Sequence, residues 1–225
     1  MNEDTGVSQK NQFLSGEGDE WYERNKWNIP AATQNDPVLM ALEHCVIRPI
    51  RVLEIGCADG WRLAEIERRY GCTGYGIDPS EKAIRAGNAS HPKLHLSVGT
   101  ADALPDIEPV DLIIFGFCLY LCDPQDLFKI AMESDRLLKD QGHIVVLDFH
   151  PPIGHYRNPY SHKEGIFSYK MDYSKLFSWH PAYCLIHQQL FHHQDNQPMH
   201  FEPNDMISVQ ILRKEYKLLS SKNPF

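Results

Sequence analysis

The segment Val52-Leu53-Glu54-Ile55-Gly56-Cys57-Ala58-Asp59-Gly60-Trp61 carries the chain's clearest chemical pattern. A short apolar run ends at Gly56, and a helical pattern opens just after Gly60. Small residues at 56, 58 and 60 let a ligand approach the backbone of such a turn. The free N–H groups of the helix that follows favour an anionic group nearby. Asp78 closes the next apolar run, where an acid accepts hydrogen bonds from a pair of ribose hydroxyls. A cap for the following helix would be the plainer use of that acid, but Ser80 already supplies one. A dinucleotide fingerprint would need glycine at 56, 58 and 61. Ala58 and the bulky Trp61 depart from it, and the lysine and hydroxyl residue of a phosphate-binding P-loop are absent.

Two histidine groups also invite chemistry. His150, flanked by Asp148 and His155, is suited to acid–base work near neutral pH, or simply to pairing with backbone in a loop. His187, His192 and His193, with His200 beyond, suggest a metal, yet no nearby carboxylate or cysteine completes a ligand set. A polar strand face is therefore expected there, and no metal. The six cysteines form no C-x-x-C pair and read as small buried hydrophobes of a reducing compartment.

The elements that must position these groups alternate regularly. Strands are predicted at 51–56, 74–78, 94–98, 110–115 and 143–149, with helices over 61–70, 80–89 and 124–138. Alternation of this kind implies right-handed βαβ units, a parallel sheet and helices on both faces. Before it, Pro37 opens a helix carrying Val38, Leu39, Leu42, Cys45 and Val46. After it, residues 151–182 hold prolines, glycines and many aromatics without sustained periodicity. Residues 183–193 and 206–215 then alternate apolar and polar around a turn at Asp195-Asn196-Gln197-Pro198, predicting an antiparallel pair at one sheet edge. The expected division is an arm or cap over residues 1–36 and one domain over 37–225, with an acceptor-side insertion at about 151–182.

Together these segments resemble class I S-adenosylmethionine-dependent methyltransferases. The resemblance rests on Glu54-Ile-Gly-Cys-Ala-Asp-Gly60, Gly76-Ile-Asp78-Pro79 and Gly99-Thr-Ala-Asp102-Ala103-Leu-Pro105. Val110–Phe115 and Arg136–Gly142 resemble the family's later motifs. It implies a Rossmann-like, doubly wound, mostly parallel sheet with an antiparallel C-terminal edge pair, and S-adenosyl-L-methionine as cofactor. By position, Gly56, Cys57, Ala58 and Gly60 would line its methionine and ribose parts, with Glu54 beneath the loop. Asp78, beside Pro79, would hold the ribose hydroxyls, Asp102 with Ala103 would meet the adenine, and Phe117 would approach the sulfonium. The arm segment Gln12–Asn25 resembles the leader of methyltransferases associated with pseudaminic acid and other surface sugars, although Leu14 stands where an aromatic is usual. Tyr22 and Arg24 would then fold over the cofactor, Arg24 reaching its carboxylate. For a hydroxyl acceptor, His150 would be the base, and the aromatic run 167–179 would suit a sugar or another flat ring.

Composition sets the outer bounds. At 42% hydrophobic residues the 225-residue chain is no disordered polymer, and no apolar run approaches the roughly 20 residues of a spanning helix. Lys plus Arg number 22 against 30 Asp plus Glu, which argues against a nucleic-acid partner. The polar start predicts no secretory signal and hence a cytoplasmic protein. The alternatives are a catalytically silent methyltransferase-fold binding partner, opposed by the intact Glu54, Gly56, Gly60 and Asp78, and a nucleotide-dependent oxidoreductase, opposed by Ala58 and Trp61.

Overall fold

The computed structural model describes residues 8–28, 35–193 and 204–219. The arm is helical: α1 (Gln9–Gln12), a π-helical turn (Phe13–Glu17) and α2 (Gly18–Asn25). Gly16, at φ 149°, supplies the kink between them. Next comes α3 (Pro37–His44), started by Pro37 in the first turn and by Asp36, whose carboxylate accepts from Leu39 N at 3.0 Å.

The alternating region folds as β1 (Arg51–Ile55), α4 (Trp61–Tyr70), β2 (Thr73–Asp78), α5 (Glu81–Ser90), β3 (His95–Val98) and β4 (Val110–Gly116). Left-handed glycines at 60 and 71 bound α4, and Ser80 caps α5 by accepting from Ala83 N. The predicted helix at 124–138 divides: a 3₁₀ turn over Pro124–Asp126 leads into α6 (Leu127–Leu137). The strand expected from 143 begins earlier, as β5 (Leu138–Phe149). A register shift opposite Val110 and Leu112 absorbs the extra residues, with Gln141 at φ 66°.

Residues 151–182, without visible periodicity, hold a small antiparallel hairpin, β6 (Tyr156–Pro159) with β7 (Phe167–Lys170), and then α7 (Lys175–Ser178). The edge pair is β8 (Tyr183–His192) and β9 (Met206–Lys214), followed by α8 (Tyr216–Leu219). The expected turn at 195–198, and His200, lie outside the described residues.

Among the described residues, seven strands form one sheet in the order β3-β2-β1-β4-β5-β9-β8. Strands β1 to β5 are parallel, while β9 runs antiparallel to both β5 and β8. The order reverses beside β1, which opens a crevice at the carboxyl ends of β1 and β4. Leu112, Ile113, Ile114 and Phe115 of the central β4 are fully buried, as a strand covered on both faces requires. Each such side chain contributes roughly 1.5–3 kcal/mol of burial. No helix among the described residues is long and apolar enough to cross a membrane.

Candidate active site

A cleft of about 860 Å³ opens at the carboxyl ends of β1, β2 and β4. Its floor comes from Gly56, Ile77, Asp78, the segment after β3 ending in Asp102, and Phe117 after β4. Lys10, Phe13, Gly18 and Trp21 of the arm close it from above. The mixture of apolar walls with a few carboxylates suits a bound small molecule.

Asp78 holds the glycine turn in place. Its Oδ2 accepts from Ala58 N and its Oδ1 from Ser80 N, both at 2.9 Å. Burial raises its pKa to about 6, against the lowering effect of those two amide bonds. Each oxygen keeps a lone pair for a ligand. Gly56 lies at φ 72°, and a Cβ there would sit 2.6 Å from Cys118 Cβ. Ala58 is left-handed too, at φ 49°, so what the sequence suggested was a merely small residue takes a conformation that costs an alanine energy.

Glu54 lies under the loop, fully buried and bonded to Arg62, which also forks onto Asp36 at 2.9–3.1 Å. Burial raises the Glu54 carboxyl, while the guanidinium opposes that rise. Cys57 and Gly60 face inward rather than lining the cleft. The Cys57 thiol packs beside Gly76, and Gly60 abuts Leu96. Pro79 lines the cleft beside Asp78.

Asp102 lines the cleft, whereas Ala103 is exposed and pairs with Thr100 in an isolated bridge. Burial tends to raise the Asp102 pKa, but donors from Lys10, Thr100 and Lys129 bring it down to about 2. Phe117 stands at φ 67° at the cleft's far end, in contact with Tyr120, Phe149 and His193.

Three further expectations change. Arg24 lies outside the cleft, its guanidinium 2.5 Å from Glu17 Oε1 and 3.1 Å from Tyr160 Oη. Tyr22 also lies outside, packed on Ala58 and Ala83 with its hydroxyl on Asp59. Gly18 and Trp21 line the cleft, whereas Asp59 holds the Tyr22 hydroxyl and Glu17 the Arg24 guanidinium outside it. The signal for the cleft-lining side was Gly18. A Cβ there would meet Ser80 N at 3.1 Å and Pro79 C at 3.2 Å.

The third concerns His150. Strand alternation directs Phe149 toward Phe117 and turns His150 to the opposite face, against Ser208 at 3.3 Å, Gln188 at 3.4 Å and Asp172 at 3.8 Å. It does not line the cleft. His193, also outside the cleft lining, stacks on Phe117 with ring centroids 5.2 Å apart and planes 8° apart. Burial lowers the pKa of both imidazoles. Among the described residues, no three His, Cys, Asp or Glu side chains are grouped as a metal site.

Residues 52–142 match a family model described as a methyltransferase domain. No curated protein matches the chain. The 1,6-didemethyltoxoflavin-N1-methyltransferase of Burkholderia thailandensis, solved with 1,6-didemethyltoxoflavin and S-adenosylhomocysteine, is similar at a TM-score of 0.70. Its identity is 17%, over 92% of this chain and 87% of that one. The N-methyltransferase NodS of Bradyrhizobium japonicum, in complex with S-adenosylhomocysteine, is similar at 0.61 and 17% identity, over 92% and 99% of the two chains. A Methanosarcina mazei structure described as an S-adenosylmethionine-dependent methyltransferase gives 0.59 at 17% identity, over 73% and 92%. The fold is therefore the one these methyltransferase structures share, and segment 52–142 is similar to the methyltransferase-domain model.

Proposed function

We propose that the chain transfers a methyl group from S-adenosylmethionine to a small-molecule acceptor. One observation carries this reading: a single cleft gathers Gly56, Asp78, Asp102 and Phe117, contributed by the ends of four successive strands. Two of the similar structures are described as holding S-adenosylhomocysteine, which supports the cofactor assignment.

The cleft fits that cofactor. The carboxylate of Asp78 suits ribose hydroxyls, and the apolar stretch bounded by Ala101, Leu121 and Ile130 suits adenine, with Asp102 at its rim. Gly56 allows close approach of the backbone. When bound, the cofactor supplies an electrophilic methyl on a sulfonium. This chain's residues then hold the acceptor in line, exclude water and, for a hydroxyl acceptor, take up a proton. Phe117 would border the methyl. His193, stacked on Phe117 and with its pKa lowered by desolvation, is better placed than His150 to receive that proton.

A narrower acceptor class, a sugar or other ring compound of surface-polysaccharide synthesis, rests on the resemblance of the arm sequence and on the aromatic insertion.

The test is binding of S-adenosylhomocysteine by calorimetry, followed by transfer of labelled methyl to a panel of sugars, phenols and amines. Asp78→Ala is expected to lose about 1–3 kcal/mol of cofactor binding. Equal affinity in the two proteins would remove Asp78 from the ribose site, and no binding by the unaltered protein would end the reading.

A further inference from the structure

Beyond Phe117 lies a second pocket, separate from the cofactor cleft, between the end of β5 and the β6–β7 hairpin. Aromatic rings form the wall between the two. Phe117 lines the cleft, Tyr120 and Phe149 line the pocket, and the three ring centroids lie 5.0–5.2 Å from one another. Tyr160 adds a further aromatic surface, and Asn158 and Ser168 supply neutral hydrogen-bonding groups.

Lys170 also lines this pocket, half-buried, with its Nζ 3.8 Å from the Phe149 ring centroid. The ammonium has three donors. One goes to the Asn204 carbonyl at 2.7 Å. Among the described residues, none of its ion pairs with a carboxylate falls within 4 Å, and Asp148 and Asp205 act on it only through longer-range attraction. The pocket's other nearby cations are already engaged: Arg24 with Glu17, and Arg157 over the Phe167 ring at 3.5 Å. A half-buried ammonium with spare donors costs desolvation energy that an incoming anion offsets.

We infer that this pocket is the acceptor site and that it takes a ring compound bearing a carboxylate, with Lys170 binding the anion and the aromatic rings binding the ring face. The inference rests on the proposed methyl-transfer reading and adds the acceptor's chemical class. A single cation beside neutral amides and hydroxyls matches one negative charge. The acid would be anchored at Lys170, and the Phe117 and Tyr120 rings at the boundary would swing aside for the acceptor atom to meet the methyl.

Two matched pairs of probes test it by calorimetry, with and without saturating S-adenosylhomocysteine: 4-hydroxybenzoate against 4-hydroxybenzamide, and glucuronate against glucose. At least one acid should bind about tenfold or more tighter than its neutral twin, the scale of a charged hydrogen bond. That preference should vanish in Lys170→Met and survive in Lys170→Arg, with S-adenosylhomocysteine affinity unchanged in both. The winning pair distinguishes a flat aromatic acid from a sugar acid. Equal binding of acid and twin, no binding of any probe, or a preference that survives in Lys170→Met overturns the assignment. Failure of S-adenosylhomocysteine to bind, with the acid preference intact, would instead refute the cofactor reading and leave the anion pocket standing.

Discussion

Lys10 Nζ stands 2.7 Å from Asp102 Oδ2, so the first helix of the arm is tied by an ion pair to the carboxylate at the rim of the cleft. The same ammonium lies 3.2 Å from Asp126 Oδ2. The hydrogen bond that Lys10 donates to Asp102 raises the Lys10 pKa against the lowering effect of burial. A cation on the arm and two acids on the body thus hold the cover shut across the region assigned to adenine.

Lys10→Met should loosen that cover. Lys10 is partly exposed, so the pair is worth about 0.2–1 kcal/mol after solvent screening. Backbone amides of residues 9–25 should exchange hydrogen up to about fivefold faster in the variant, while those of β4 stay unchanged. Identical exchange in the arm of both proteins would show that other contacts hold it.

Gly56 and Gly71 form a matched pair for mutation. Both have positive φ, 72° and 67°, but a Cβ at 56 collides with Cys118 whereas one at 71 meets nothing within 4 Å. Gly71→Ala should lose only the left-handed penalty, about 1–2 kcal/mol, and bind S-adenosylhomocysteine normally. Gly56→Ala should be less stable than that and bind more weakly, because the turn must shift. Calorimetry and thermal unfolding of the two variants decide it.

Asp148 gives stability a pH dependence. It is buried at the end of β5, where desolvation raises its pKa to about 7 despite amide donors from Phe149 and Tyr120. The folded state therefore holds its proton more tightly than the unfolded chain, whose carboxyl titrates near 3.8. The stabilising contribution is fully present below pH 3.8 and is lost as pH rises through about 7. Denaturant unfolding across this window should show a decline on the order of a few kcal/mol from this group. Asp148→Asn should flatten that part of the slope, whatever its effect on absolute stability. An unchanged slope would assign the decline elsewhere.

His193→Ala should slow transfer to a hydroxyl acceptor by roughly 10²–10⁴-fold, while His150→Ala changes it little. Burial lowers the His193 pKa, so the unaltered enzyme should lose rate only on acidification below the ordinary imidazole range. Saturated turnover of the three proteins across pH checks this. A slow His150→Ala with a normal His193→Ala would reverse the assignment.

Much of this molecule could be read from local pattern. Apolar runs such as Val110–Phe115, and glycine at 56 and 60, express requirements of the backbone itself, so strand, turn and helix were legible, as was Asp78 at the strand end. The acceptor side was not. Phe149 and His150 are adjacent in sequence, and only the sheet's alternation, anchored by pairing of Asp148 with Ser208, decides which one meets Phe117. The β6–β7 hairpin carries prolines and no clean alternation, because it pairs as a two-stranded piece outside the main sheet. Lys10, the cleft's arm-borne cation, had no pattern to betray it, since its partners Asp102 and Asp126 lie some hundred residues away.

Gln9 links three parts of the protein at once. Its backbone N–H donates to Asp123 at 2.8 Å, its side-chain amide to the Leu121 carbonyl at 2.9 Å, and its side-chain carbonyl accepts from Phe167 N at 2.6 Å. The arm, the loop after β4 and the hairpin beside the second pocket are thereby joined through one neutral residue. Lifting the arm to exchange what the cleft holds must break the bond to the hairpin, and so disturb the wall of the neighbouring chamber. Through Gln9 the arm, the loop after β4 and the hairpin are thus mechanically linked.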